Sequence, residues 1–159
     1  MSARIERRYS LYTAEQLFDL VADVEKYPEF MPWIHSSRIL RREPTAVWVD
    51  MVLGIGPLQL EFGSRAELHR PHSIEITSND APFDLFRQRW EFATDDHGHA
   101  VVGYSYEFSL RSGALELISH AVLDEVVGAT IDAFEERARQ IFGDKTATGP
   151  AGSSGSLAP

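Results

Sequence analysis

The sequence contains no cysteine, which excludes disulfides, thiol nucleophiles and thiolate metal sites together. Basic residues are scarce: 15 Lys and Arg stand against 24 Asp and Glu, for a formal net charge of -9. Phosphate backbones and anionic headgroups repel a chain of that charge, so no nucleic-acid partner is expected unless a local basic patch escapes the average. No apolar run approaches the roughly 20 residues of a membrane-spanning helix. The N-terminus, Met-Ser-Ala-Arg-Ile-Glu-Arg-Arg, lacks the apolar stretch of a secretory signal, and a cytoplasmic protein is the expectation. Catalytic signatures are missing too: there is no G-x-S-x-G, no H-E-x-x-H and no P-loop. Gly54-Ile55-Gly56-Pro57 lacks the third glycine and following helix of a nucleotide fingerprint and reads as a turn.

What is present fits one domain: 159 residues, 43% of them hydrophobic and 25% charged. Arg4 to Ser10 reads as a short strand. Thr13-Ala14-Glu15-Gln16 has the form of a capping box, followed by the apolar stripe Leu17, Phe18, Leu20 and Val21 of a short helix. Tyr27-Pro28 and Met31-Pro32 break that helix and leave an irregular segment rich in Tyr27, Phe30, Met31, Trp33 and Ile34.

The middle of the chain alternates with period two. Val47, Val49, Met51 and Leu53 share one face of a strand; Leu58, Leu60, Phe62, Ala66 and Leu68 share a face of the next. Ile74 and Ile76 mark a shorter strand. Phe86, Gln88, Trp90 and Phe92, then Val102, Tyr104, Tyr106, Phe108 and Leu110, mark two more. Such strands joined by short turns predict an antiparallel meander with one apolar face. From about Ala114 to Phe142 the period becomes helical, with Leu115, Ile118, Val122, Val126 and Ala129 in one stripe. Val127, Ile131, Phe134, Ala138, Ile141 and Phe142 form a second stripe beside it. A helix of roughly 28 residues is about 42 Å long, enough to cross a sheet. Gly143 stands where a C-terminal cap belongs, and Gly128 inside the helix marks either a close backbone approach or neutral drift. Residues 1–143 are therefore expected to form the domain, and the Gly/Ser/Ala/Pro-rich stretch 144–159 a disordered tail.

The fold class expected is α+β, one sheet covered by a long helix. Its inward face carries Met51, Phe62, Phe86, Trp90, Tyr104, Tyr106 and Phe108. Two readings stay open on pattern alone. Periodicity favours a close-packed core; the alternative is a pocket, furnished by the few polar groups in register with the apolar faces, Ser64, Gln88 and the two tyrosines. Asp95-Asp96-His97-Gly98-His99 reads as a hairpin turn rather than a metal cluster. Neither a metal site nor a catalytic set is expected.

Tyr27-Pro28-Glu29-Phe30-Met31-Pro32-Trp33 resembles the Y-P-x-F-L-P-W segment of the coenzyme Q-binding START-domain family, within the polyketide cyclase/dehydrase-like superfamily. Pro82-Phe83 with Arg89-Trp90-Glu91-Phe92 is similar to that family's P-F and W-x-F strand. Tyr106-Glu107-Phe108-Ser109-Leu110, with the helix ending Ala133-Phe134-Glu135-Glu136-Arg137-Ala138, is similar to its closing strand and helix. Ala66 and the Asp84-Leu85 pair depart from the pattern. The resemblance implies a helix-grip fold with about seven strands and a non-catalytic role: holding ubiquinone, as bound ligand rather than cofactor, for respiration or quinone biosynthesis. It further implies respiratory-chain or quinone-biosynthesis partners and transient peripheral contact with the inner membrane. A polyprenyl tail would lie along Met51, Phe62, Trp90, Tyr104, Leu115, Ile118, Val122 and Val126. Gln88, Tyr104 or Tyr106 would donate to the quinone carbonyls, with Phe86 on the same face. Phe30, Met31, Trp33 and the Ala81–Leu85 loop would form the rim. Two alternatives in the same superfamily are a polyketide cyclase/aromatase-like enzyme, with the tyrosines steering protons, and a ribosome-associated, toxin-like interaction module.

Overall fold

In a computed structural model the structure describes residues 2–111 and 120–143. Strand β1 (Ser2–Tyr9) leads into helix α1 (Ala14–Ala22) and a 3-10 turn (Val24–Glu29). Six strands follow: β2 (Ile34–Arg42), β3 (Ala46–Ile55), β4 (Leu58–His69), β5 (Ser73–Ser78), β6 (Phe83–Thr94) and β7 (Ala100–Leu110). Helix α2 (His120–Phe142) comes last among the described elements. The strands form one antiparallel sheet in the order β1-β7-β6-β5-β4-β3-β2, a meander closed on its far edge by the N-terminal strand. The expected α+β helix-grip architecture is therefore present.

Local chemistry explains the boundaries. Thr13 Oγ1 accepts from the Gln16 amide at 3.1 Å, and Gln16 Oε1 accepts from the Thr13 amide at 3.0 Å, completing the capping box. That start points Leu17, Phe18, Leu20 and Val21 into the core. At the other end of the chain Gly143 adopts φ 80, and its amide donates to the Arg139 carbonyl at 2.9 Å, a left-handed cap available to glycine without strain. Of the two readings of Gly128, close backbone approach is not seen: nothing lies within 4 Å of where its side chain would stand, so no neighbouring described backbone requires glycine there.

Strand β2 is the element that alternation does not reveal. Register shifts between Ile34 and Ser36, and again between Ile39 and Arg41, insert an extra residue each time. Ile34 and Ser37 are consequently buried and Ile39 half-buried, a spacing that period two does not detect. A further shift between Phe83 and Leu85 turns Phe83 inward, out of step with Phe86. Along α2, burial falls on Leu123, Ile131, Phe134 and Ala138, with Val127 packed against the core. The second of the two predicted stripes is thus the covering face, apart from Ile141, which is 51% exposed. Val122, from the first stripe, is 39% exposed.

Candidate functional site

The sheet and α2 do not meet tightly everywhere. Between them lies a cavity of about 180 Å³. Strands β3 and β4 supply Met51, Phe62 and Ser64; β6 and β7 supply Phe86, Gln88, Trp90, Tyr104 and Tyr106. The helix contributes Leu123, Val126, Val127, Thr130 and Phe134, while Met31 and Trp33 close the side below the 3-10 turn. Both readings left open by periodicity are therefore realised: a packed core and a hollow share the same inward face.

Strand pairing sets the polar groups. Gln88 is registered between Ile76 on β5 and Tyr106 on β7, and Trp90 pairs with Tyr104. The Trp90 and Tyr104 rings sit 4.4 Å apart by centroid, and Phe134 of α2 meets Trp90 edge-on at 5.4 Å. Those three rings also wall a second hollow of about 40 Å³, under α1 and the C-terminal half of α2. Burial pushes the Tyr104 phenol well above its usual range, with Tyr106 adding to the effect. Burial likewise raises Tyr106, helped by the Asp124 carboxylate. Both hydroxyls are thus protonated donors at neutral pH, and neither carries a hydrogen bond to another described residue. Among the described residues Arg87 is the one cation bordering the cavity, but it is exposed between Phe86 and Gln88, and its Nη1 lies 3.6 Å from Glu107 on the outward sheet face. No Asp, Glu, His or Cys lines the cavity among the described residues.

Most residues expected to touch a ligand come together here: Met31, Trp33, Met51, Phe62, Phe86, Gln88, Trp90, Tyr104, Tyr106 and Val126. Two do not. The Phe30 ring turns away to pack on Tyr27 and Phe134, under the Arg137 guanidinium 5.0 Å from its centroid. Val122 misses because its helical phase faces outward, and Leu123 takes its place on the lining. Leu115 and Ile118 lie outside the described residues. Met31 was expected at the rim but is 1% exposed, a floor residue, whereas Trp33 is half-buried at the edge. Pattern reading missed Phe83 because of the bulge before Leu85, and missed Leu123 and Phe134 as lining because a helix stripe does not say what it faces. In the Asp95–His99 turn, the Asp95 carboxylate accepts from the His97 and His99 amides at 2.9 Å each. It builds the hairpin, as expected.

Comparisons with known proteins extend this picture. The chain is 29% identical over 144 residues to the ribosome association toxin RatA of Pseudomonas aeruginosa, covering 90% of this chain and all of that protein. It is 25% identical over 136 residues to the mitochondrial coenzyme Q-binding protein COQ10 homolog B of Xenopus laevis, covering 83% of this chain and 56% of that one. A crystal structure from Thermus thermophilus superposes with a TM-score of 0.77 at 17% identity, spanning 88% of this chain and 98% of the other. The Zhui aromatase/cyclase from a Streptomyces species superposes at 0.72 with 16% identity, spanning 94% and 100%; at such identities the likeness is one of fold. A family model matches residues 11–135, from the turn before α1 through most of α2, and the chain belongs to the family described as polyketide cyclase / dehydrase and lipid transport.

Proposed function

We propose that the protein is a non-catalytic carrier of a neutral, ring-bearing hydrophobic molecule, and that the molecule is ubiquinone. The cavity is the observation that carries this reading. An engineered apolar cavity of about 150 Å³ accepts benzene, so a hollow of about 180 Å³ has room for one substituted ring. It has no room for many isoprene units. The ring therefore occupies the cavity, and the tail leaves past the partly exposed lining residues Trp33 and Phe86, rather than lying wholly inside as the resemblance implies.

The polar furnishing suits a quinone. Its carbonyls accept hydrogen bonds, and the free hydroxyls of Tyr104 and Tyr106 and the Gln88 amide can donate to them. A cationic ligand would find no carboxylate on the described lining, and the one bordering cation, Arg87, is already paired to Glu107, so a charge on the ligand would be desolvated with little compensation. Turnover is disfavoured by the same residues. Proton abstraction requires a base near the working pH, and among the described residues the lining offers only three phenols held protonated, Tyr27, Tyr104 and Tyr106, and an arginine paired to Glu107.

Extraction of the purified protein with organic solvent, followed by mass spectrometry, tests the reading; ubiquinone is the expected product. A polyketide, or an empty protein that also fails to bind a short-tailed ubiquinone, would overturn it. The RatA-like relatives support a second reading, association with a ribosomal subunit. Arginines on the outward sheet face, such as Arg4, Arg65, Arg87 and Arg89, each lie within 4 Å of a carboxylate, which weakens their attraction for RNA phosphates. Co-sedimentation with a subunit at moderate salt would favour that second reading.

A further inference from the structure

Turns between strands are ordinarily polar, because their backbone groups face water and Asn, Asp, Gly, Pro and Ser supply the special geometries. Four of the five connections between β2 and β7 obey this: Glu43-Pro44-Thr45, Arg70-Pro71-His72, Asn79-Asp80-Ala81-Pro82 and Asp95 to His99. The fifth, Gly56-Pro57 between β3 and β4, differs in carrying no charged side chain and in being flanked by apolar strand ends. From Met51 to Leu60 the chain reads Met-Val-Leu-Gly-Ile-Gly-Pro-Leu-Gln-Leu, with no ionisable residue between Asp50 and Glu61. In a chain of net charge -9, that gap sets this turn apart from the other four.

The hairpin is also joined to the cavity. The Gly54 amide donates to the Trp33 carbonyl at 2.8 Å, and Leu53 pairs with Ile34, fixing the hairpin beside Trp33. Trp33, Leu53 and Ile55 line the cavity while remaining half-exposed, so one apolar surface runs from the hollow to the outside. Gly56 takes φ 59, which allows the tight turn that sets Ile55 opposite Leu58, and Pro57 at the tip is exposed. A tryptophan at the edge of an apolar surface is also the side chain best suited to the boundary between water and acyl chains.

We infer that the β3–β4 hairpin, with Trp33 beside it, is a lip that dips into an electrically neutral lipid surface so that the ligand passes between bilayer and cavity. The inference rests on the carrier reading for its purpose, but the contact itself stands on the hairpin. Anionic lipid is disfavoured as the docking surface because the acidic protein is repelled by it. Burial of the apolar tip supplies the attraction instead, and it leaves the protein reversibly attached.

Flotation of the full chain with pure phosphatidylcholine vesicles tests this, with Trp emission as a second readout. The native protein should float and its emission shift to the blue. Ile55→Glu should cut the floated fraction about fivefold or more, and Pro57→Glu, at an exposed tip position with no core contact to lose, should do the same. Pro57→Glu should bind a short-tailed ubiquinone in buffer within about twofold of the native protein, since Pro57 is exposed and does not line the cavity, whereas Ile55 does. Failure of the native protein to float, flotation on anionic vesicles alone, or flotation of both variants equal to that of the native protein would overturn the lip. So would a native dimer that Ile55→Glu converts to a monomer, which would assign the hairpin to a second copy of the chain. Hairpin-dependent flotation without any quinone binding would uphold the lip and refute the quinone reading.

Discussion

The two ends of the sheet are built from the same strands and finished differently. At the end bearing the Arg70–His72 and Asp95–His99 turns, α1 and the last turns of α2 lie over β6 and β7. Phe18 meets Phe92 edge-on at 5.5 Å, Tyr12 contacts Phe142 at 5.9 Å, and Ala100 is fully buried. The hollow left there measures about 40 Å³. At the end bearing the Gly56-Pro57 turn α1 is absent. There the described part of α2 and the 3-10 turn with the segment after it stand over the sheet, and about 180 Å³ stays open beneath them. Trp90, Tyr104 and Phe134 form the bulkhead between the two. One end therefore holds the fold together, and the other has the space a ligand requires.

Removing a ring from each end tests that division. Phe18→Ala at the filled end should destabilise the protein by about 3–5 kcal/mol, because a buried ring is lost and the site cannot collapse. Phe86→Ala, on the wall of an existing hollow, should cost only about 1–2 kcal/mol while weakening ligand binding. Chemical denaturation of both variants, together with quinone titration, checks this. Equal losses of stability would erase the distinction between the ends. Trp90→Ala is a poor probe of binding, since the ring is 5% exposed and belongs to the bulkhead.

Gly128 sits on the helix that spans both ends, with open space beside it. Gly128→Ala should raise stability by about 1 kcal/mol and leave quinone affinity unchanged. A drop in affinity would mean that α2 must bend to admit the ligand.

The smallest effect concerns acid. The His99 amide, with the His97 amide and the Arg8 guanidinium, holds the Asp95 carboxylate below its usual range. A depressed folded-state pKa means that the stabilisation is present above the usual carboxylate range and is lost as pH falls through the folded value. Asp95→Asn should therefore show a shallower fall in melting temperature on acidification below about pH 4 than the native protein. Identical acid profiles would remove this turn from the account of the filled end.

Much of the molecule is legible in linear order. Alternation in β3, β4, β6 and β7 identifies the inward residues correctly, because strand side chains change face at every step and one face is dry. The capping box at Thr13 and the cap at Gly143 are equally readable, since each is satisfied within a few residues. Reading fails where an extra residue shifts the phase. The bulges at Ile34–Ser36 and Ile39–Arg41 hide β2, and the one before Leu85 hides Phe83. Choosing between two adjacent helix stripes also fails, and Val122 is proposed where Leu123 points inward.

The residue pattern by itself determined an apolar sheet face, a covering helix and the polar groups set among them, because those follow from local periodicity and short-range hydrogen bonds. Whether that face is filled or hollow was decided by the tertiary structure alone. It depends on α1 covering one end of the sheet and not the other, and on three rings from β6, β7 and α2 meeting in the middle. Contacts between residues so far apart in the chain leave no period for a sequence to display.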